Sequence, residues 1–350
     1  MPQYIDSGSE PWKPNFSITV EGSDITDIIR ANLINLTLTD YGGDQKKSDQ
    51  ISFAVVSEDL KIPKKGVKIS LALGFGQELT NKGTFVVDAI TSAGSSTNPR
   101  IVEITARAFS KSNERGHSTL QSQKTRSFSG ISLGDLVNTL ASEHGLTPRV
   151  PSSLADIQLP HIDQISESDM NLMTRLASRY SAVSKISHDY WILTPRDGET
   201  TVSGKELKEL TITRDMTDSW SYHDNSDHPD SSGSSGSGTL IVDYKDMADG
   251  GKIKHLVSGS GEPVTRSYFN MPNYESAKEV IGSQSTSSKK KLKGMSIEMP
   301  ALPELMGLTA QCLITTSGFG SVEDQKWHIS KLDMELADTD KGLMFKLELE

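Results

Sequence analysis

The sequence predicts a mainly β protein with an α/β insertion, in which two β regions flank a small helical middle segment. Three observations predict this class. Short runs of period-two apolar alternation, each bounded by turn residues, fill the first third of the 350-residue chain. Helical spacing then replaces the alternation, which returns from Leu210. The two alternating regions also echo each other in order. The implied division is 1–125 for the first β region, 126–204 for an α/β segment with two helices, and 205–350 for a second β region with one inserted helix.

Each element follows from its local pattern. Phe16 to Val20 and Leu33 to Thr39 alternate as strands, and Gly22 to Asp27 between them reads as a turn able to cap a short helix. Tyr41 to Asp44 is a turn, and Ile51 to Val55 is the next strand. Pro63 and Gly66 open a strand carrying Val67, Ile69, Leu71 and Leu73, closed by Gly74. Thr84–Ile90 and Ile101–Ala108 pair across a Gly-Ser loop. In the middle, Leu133, Leu136, Val137 and Leu140 recur at helical spacing, with Ser132 as N-cap and Gly145 past the end. A second helix runs from Ser168-Asp169 through Leu172, Met173, Leu176 and Ala177, and Tyr190 to Leu193 is a strand. After Leu210 come β patterning, a Ser/Gly tract at Ser231–Gly238, and a helix from about Tyr274 to Lys291.

The echo has three parts. Ser17-Ile18-Thr19 before Asp24-Ile25-Thr26-Asp27 is matched by Thr211-Ile212-Thr213 before Asp215-Met216-Thr217-Asp218. Pro63 with Gly66 is matched by Pro303 with Gly307, opening a strand from Leu308 to Ile314. Each region closes on a strand, turn, strand pair. Three matches in one order indicate a duplicated β domain, and three copies of such a chain would place six similar units about an axis.

Composition narrows the function classes. The net charge of −10 disfavours wrapping nucleic acid, which requires free Lys and Arg. No apolar run approaches the ~20 residues of a membrane span, and Met1 to Asp6 lacks the features of a signal peptide, so folding in the cytoplasm is expected. Cys312, the single cysteine, excludes an internal disulfide and reads as an inert thiol. The densest polar run, His223 to Asp230, offers metal-ligand types but no rigid support, and reads as a solvated loop. Gly74-Phe75-Gly76 lacks the third glycine of a dinucleotide fingerprint and is a strand-end turn. Glu143-His144 and His188 lack zinc-helix spacing, and no G-x-S-x-G elbow occurs. No catalytic, cofactor or metal site is predicted.

The most specific string is Gln164-Ile165-Ser166-Glu167-Ser168-Asp169-Met170-Asn171-Leu172-Met173-Thr174-Arg175-Leu176-Ala177. Physically it starts a helix: Ser168 or Asp169 caps the free amides, the apolar residues form a buried stripe, and Arg175 faces elsewhere, able to meet a carboxylate. The string also resembles the Q-x-x-E-S-D-x-x-L-x-x-R-L-A signature of the phage late control D family. That family comprises tail hub proteins of contractile phages and the related hub portion of type VI secretion spikes. Thr39-Asp40 with Ser48-Asp49, the strands at Gly66 to Asp88, Ser132 to Leu146 and Trp327 to Gly342 are similar to further family elements. Ser181, where a glycine is common, and the Ser/Gly tract depart from the pattern.

The resemblance implies two tube-like β-barrels per chain and a homotrimer forming a pseudo-six-fold ring. Its expected partners are a tail tube protein and a central spike protein, with a tape measure protein a further candidate. DNA would pass through the lumen without specific binding. The expected location is the virion tail baseplate, or that of a phage-tail-like bacteriocin particle, assembled in the host cytoplasm. The expected site residues are interface or scaffold residues: Gln164, Glu167, Ser168, Asp169, Arg175 and Leu176. An ordinary capped helix packed in its own domain accounts for the same six. A tail-associated cell-wall hydrolase and a type VI spike hub are the alternatives. The first calls for a separate domain and the second for a spike β-helix, and neither is read in this sequence.

Overall fold

The computed structural model describes residues 13–42, 48–58, 61–108, 119–159, 161–187, 189–196, 210–224, 238–260, 264–266, 293–337 and 342–350, together with 271, 273–275, 277–278 and 280–281. The first β region holds β1 (Pro14–Val20), β2 (Ser23–Asp24), α1 (Thr26–Arg30), β3 (Leu33–Tyr41), β4 (Gln50–Val56), β5 (Lys68–Phe75), β6 (Glu78–Ala93) and β7 (Ile101–Arg107). The middle holds β8 (Gln123–Phe128), α2 (Leu133–Glu143), β9 (Thr147–Arg149), α3 (Ser152–Ala155), β10 (Ile162–Ser168), α4 (Asp169–Arg179), β11 (Ala182–Ser187) and β12 (Tyr190–Pro195). The remainder holds β13 (Leu210–Thr213), β14 (Ser219–Asp224), β15 (Gly238–Asp246), β16 (Lys252–Ser260), β17 (Val264–Arg266), β18 (Lys293–Pro300), β19 (Leu313–Ser317), β20 (Lys326–Ala337) and β21 (Leu343–Leu349).

Strands from both β regions share one 13-stranded sheet, in the order β14-β18-β21-β20-β3-β4-β7-β6-β5-β1-β2, with β19 also on β20 and β13 on β19. The seam is the antiparallel pair β20·β3, from Lys331↔Tyr41 to Ala337↔Asn35. Register carries apolar rows straight across it. Met299, Phe345, Met334, Leu38, Ile51, Ala106 and Val87 stand opposite one another on seven successive strands. All seven are buried, within a single core drawn from both regions. Because side chains alternate faces, a one-residue slip at the seam would expose the whole row.

The echoed regions correspond in neighbours but not in sense. Ile18 and Ile212 are both fully buried, and each strand is followed by a tight turn. Yet β1 pairs with β5 antiparallel, whereas β13 pairs with β19 parallel. The strand expected from Leu308 begins only at Leu313, because Pro303–Leu305 forms a 3-10 turn and the chain stays irregular through Cys312. Gly74-Phe75-Gly76 is a hairpin end: Gly76 has φ 54°, and a Cβ on Gly74 would lie 1.9 Å from the Glu78 carbonyl oxygen.

The middle segment forms its own core, running from Leu120 to Leu193. Its helices start as their sequences dictate. Ser132 Oγ accepts from the Asp135 amide, Ser168 Oγ accepts from the Asn171 amide, and Gly145 takes φ 65° beyond the end of α2. Replacing Ser132 with Ala is expected to cost about 1 kcal/mol, read as a lower denaturation midpoint.

One unit escaped the sequence reading. β15 and β16 form a long hairpin, turned at Gly250 and Gly251, with β17 parallel to β15. Helical backbone at 274–275, 277–278 and 280–281 covers one face, where Val242, Ala277 and Val280 form a small core. This helix is the one expected from Tyr274; its continuation to Lys291 lies outside the described residues, as do the turn at Gly43-Asp44, His188, Asn225–Asp230 and Ser231–Ser237.

Candidate functional site

The six motif residues lie in the α/β segment, where Gln164 bonds Asp169 and the Glu167 carbonyl and Glu167 pairs with Arg175. Alternation on β8 turns Lys124 and Arg126 inward, and β10 lies alongside with Gln164. α2 ends at Glu143 and His144, and α4 begins at Asp169. The fully buried Asp169 carboxylate therefore accepts four hydrogen bonds: Arg126 at 2.8 Å and Gln164 at 2.7 Å on Oδ1, Lys124 at 2.6 Å and His144 Nε2 at 2.7 Å on Oδ2. Glu143 accepts from Lys124 at 2.7 Å and Arg126 at 2.6 Å. Gln164 Oε1 accepts from Arg126 Nε, and its amide nitrogen also donates to the Glu167 carbonyl.

Burial works to raise the Asp169 pKa. Hydrogen bonds from Lys124, Gln164 and His144 and the charge on Lys124 outweigh it, holding the carboxyl at about 2. Glu143 is also lowered, chiefly by its hydrogen bond from Arg126. With the folded pKa below the unfolded one, the network stabilises fully above ~4 and loses that contribution as pH falls toward 2. Acid titration of Trp191 fluorescence should show the domain, whose core contains Trp191, loosening across that window and unchanged between pH 5 and 7.

Glu143, His144 and Asp169 place ligand atoms within 4.8 Å of one another, close enough together for a metal trio. The donor set does not fit a cation. Both carboxylates are already matched by Lys124 and Arg126, and each oxygen of Asp169 is filled by two donors. Glu143-His144 thus belongs to a structural network, which its own spacing did not suggest. Glu167 pairs with Arg175, whose guanidinium also donates to the Asp163 carbonyl, and Leu176 is fully buried in the domain core. Beside them Ile165 is 68 % exposed at a bulge where Ser166 has φ 48°.

A second network joins the domain to the sheet. Asp40 follows Leu36 and Leu38 on the core face of β3, and Asp49 lies beside it just before β4. The apolar row Ile297, Leu347, Leu332 therefore ends at Asp40. Lys185 of β11 enters there, paired with Asp40 and with Asp49 at 3.0 Å, and donates to the Tyr41 carbonyl at 3.1 Å. The Ala310 amide donates to the other Asp40 oxygen, and the Tyr41 amide to Asp49. Thr39 Oγ1 donates to Asp333 across the seam. The Thr39-Asp40 and Ser48-Asp49 pairs of the sequence reading thus supply both carboxylates of this junction. Lys185 carried no sequence signal.

The fold has known counterparts. A solved structure of a tail protein from Neisseria meningitidis MC58 superposes with TM-score 0.72, covering 97% of this chain and 96% of that one at 11% identity. This chain therefore shares the fold of that tail protein. Sequence relatives are more specific. The chain is 36% identical over 217 residues to the probable baseplate hub protein of Escherichia phage 186, and 32% identical over 211 residues to that of Escherichia phage P2. These matches cover 61% and 60% of this chain, and the chain spans about half the length of each relative, 53% and 52%. No protein-family model matches. Both of these relatives are named probable baseplate hub proteins, in line with the resemblance read from the motif residues.

Proposed function

We propose that the chain is a non-catalytic structural subunit of the baseplate hub in a contractile phage tail or phage-tail-like particle. The observation that carries this reading is the 36% identity, over 217 residues, with the probable baseplate hub protein of Escherichia phage 186. In this reading residues 1–125 and 205–350 contribute two tube-like barrels around the α/β domain at 126–204. Three chains then form a pseudo-six-fold ring, with the tail tube on one face and the central spike on the other. The six motif residues serve as scaffold within the α/β domain.

The sheet face opposite the core suits a surface past which DNA slides. Lys331 there is paired with Asp333 and Glu348, and Lys346 with Glu335 and Glu298. Cations already held by carboxylates offer little to phosphate. Electron microscopy of particles carrying a gold-labelled chain tests the assignment. Label at the junction of tube and spike is expected, and label along the tube would overturn it. Purified chain is expected to leave peptidoglycan intact in a zymogram.

A further inference from the structure

We infer that the sheet continues from one copy of this chain to the next, the outer edge of β14 pairing antiparallel with the part of β6 beyond Asp88 in the neighbouring copy. The chain already contains this junction once, within itself. Leaving out β2 and the inserted β15–β17, each β region has six strands in the same sheet order. The first runs β3-β4-β7-β6-β5-β1 and the second β14-β18-β21-β20-β19-β13. The correspondence reaches single residues. β6 is bulged between Val87 and Ala89 against β7, and β20 between Ile329 and Lys331 against β21. Aligning the bulges sets Ile90 on Leu332 and Ser92 on Met334. Following the cross-strand partners outward then sets Leu36, Leu38 and Asp40 on Trp220, Tyr222 and Asp224.

Beyond its bulge β20 outruns β19, whose pairing stops at His328, and pairs with β3 instead. β6 outruns β5 in the same way, since that pairing stops at Val86. Among the described residues, Ala89 to Ala93 have β7 as their one strand partner, and β14, the counterpart of β3, has β18 as its one. A strand edge left open is a template for another strand. The far end of the sheet is closed to such pairing: Thr26 Oγ1 accepts from the Ile18 amide, while the Ile25 amide and Arg30 donate to the Ile18 and Phe16 carbonyls.

Carried over to the junction between copies, the register of the seam pairs Ile90 with Asp224, Thr91 with His223, Ser92 with Tyr222 and Ala93 with Ser221. The side chains suit these places. Met334 opposes Leu38 in the seam, and between copies the smaller Ser92 meets the larger Tyr222. Leu332 opposes Asp40, which Lys185 holds, and Ile90 meets Asp224, which Lys293 holds at 3.3 Å. Leu332 and Met334 are buried, whereas Ile90 is half-buried and Ser92 exposed in the single chain. Two different edges joined head to tail make a heterologous contact, which closes as a ring rather than as a pair. The inference rests on the trimeric ring proposed above and names the strands that form it.

Disulfide trapping on the full chain, in a Cys312→Ser background, tests the pairing. Thr91→Cys with His223→Cys places thiols at two exposed, directly opposed positions. Six strands lie between them within one chain, so their bond joins copies. A covalent trimer on a denaturing gel is the expected main product. Thr91→Cys with Ser221→Cys is two residues out of register, setting the Cα atoms roughly 8 Å apart, and should link at least about tenfold less. Thr39→Cys with Asp333→Cys should close the equivalent bond inside one chain. Equal linking by the two inter-copy pairs, or no linking in chains that native mass shows to be trimers, would overturn the edge pairing and leave the ring standing. A chain that stays monomeric with its spike protein present would overturn the ring, and this inference with it.

Discussion

Replacing Phe345 with Ala is expected to destabilise the β sheet by about 3–5 kcal/mol, the range for removing a large aromatic from a close-packed core. Phe345 is fully buried and stands between Met299 and Met334 in the row that crosses the seam. Its ring belongs to the single core to which strands on both sides of β20·β3 contribute. Hydrogen exchange should show the amides of β4 and β7, in the first region, losing protection together with those of β18 and β21. Loss confined to β18–β21 would mean that the two regions fold as separate bodies, contrary to the shared core.

Asp169→Ala is expected to cost the α/β domain about 3–5 kcal/mol, the usual penalty for breaking a buried ion pair on one side. The substitution removes the one buried carboxylate on which Lys124, Arg126 and His144 converge, leaving Glu143 to the two cations, and removes a partner of Gln164. Asp169→Asn should cost less, since it keeps the shape and can still accept two of the bonds. Urea unfolding followed through Trp191 measures both. A cost below about 1 kcal/mol for the alanine variant would mean that Glu143 alone neutralises the two cations.

Local pattern made most strands and both capped helices legible. Ser132, Ser168 and Gly145 act within one turn of themselves, so their roles can be read from neighbouring residues. The seam was hidden because nothing in β3 or β20 specifies a partner so distant in the chain. The hydrogen bond from Thr39 to Asp333 that crosses it spans 294 positions. The two β regions echo each other in order along the sequence, but the sense of β13 against β19 depends on where the chain re-enters the sheet. The β15–β16 hairpin was missed because Ile253, Val257 and Val264 are apolar on a face that lies open, which blurs the alternation.

The site divides the same way. The Gln164 to Leu176 string announced itself through its spacing. Its partners Lys124, Arg126, Glu143 and His144 are dispersed, although two inward cations at alternate positions of β8 are a signal that could have been sought. Asp40 and Asp49 were noticed through resemblance alone. Their physical role follows only from register, which turns both toward the core and leaves Lys185 to meet them.

The central claim is a trimeric structural hub, and native mass measurement of the chain with its spike protein tests it most directly. Three copies of this chain per complex are predicted. A stable monomer or dimer in the presence of the spike would contradict the ring.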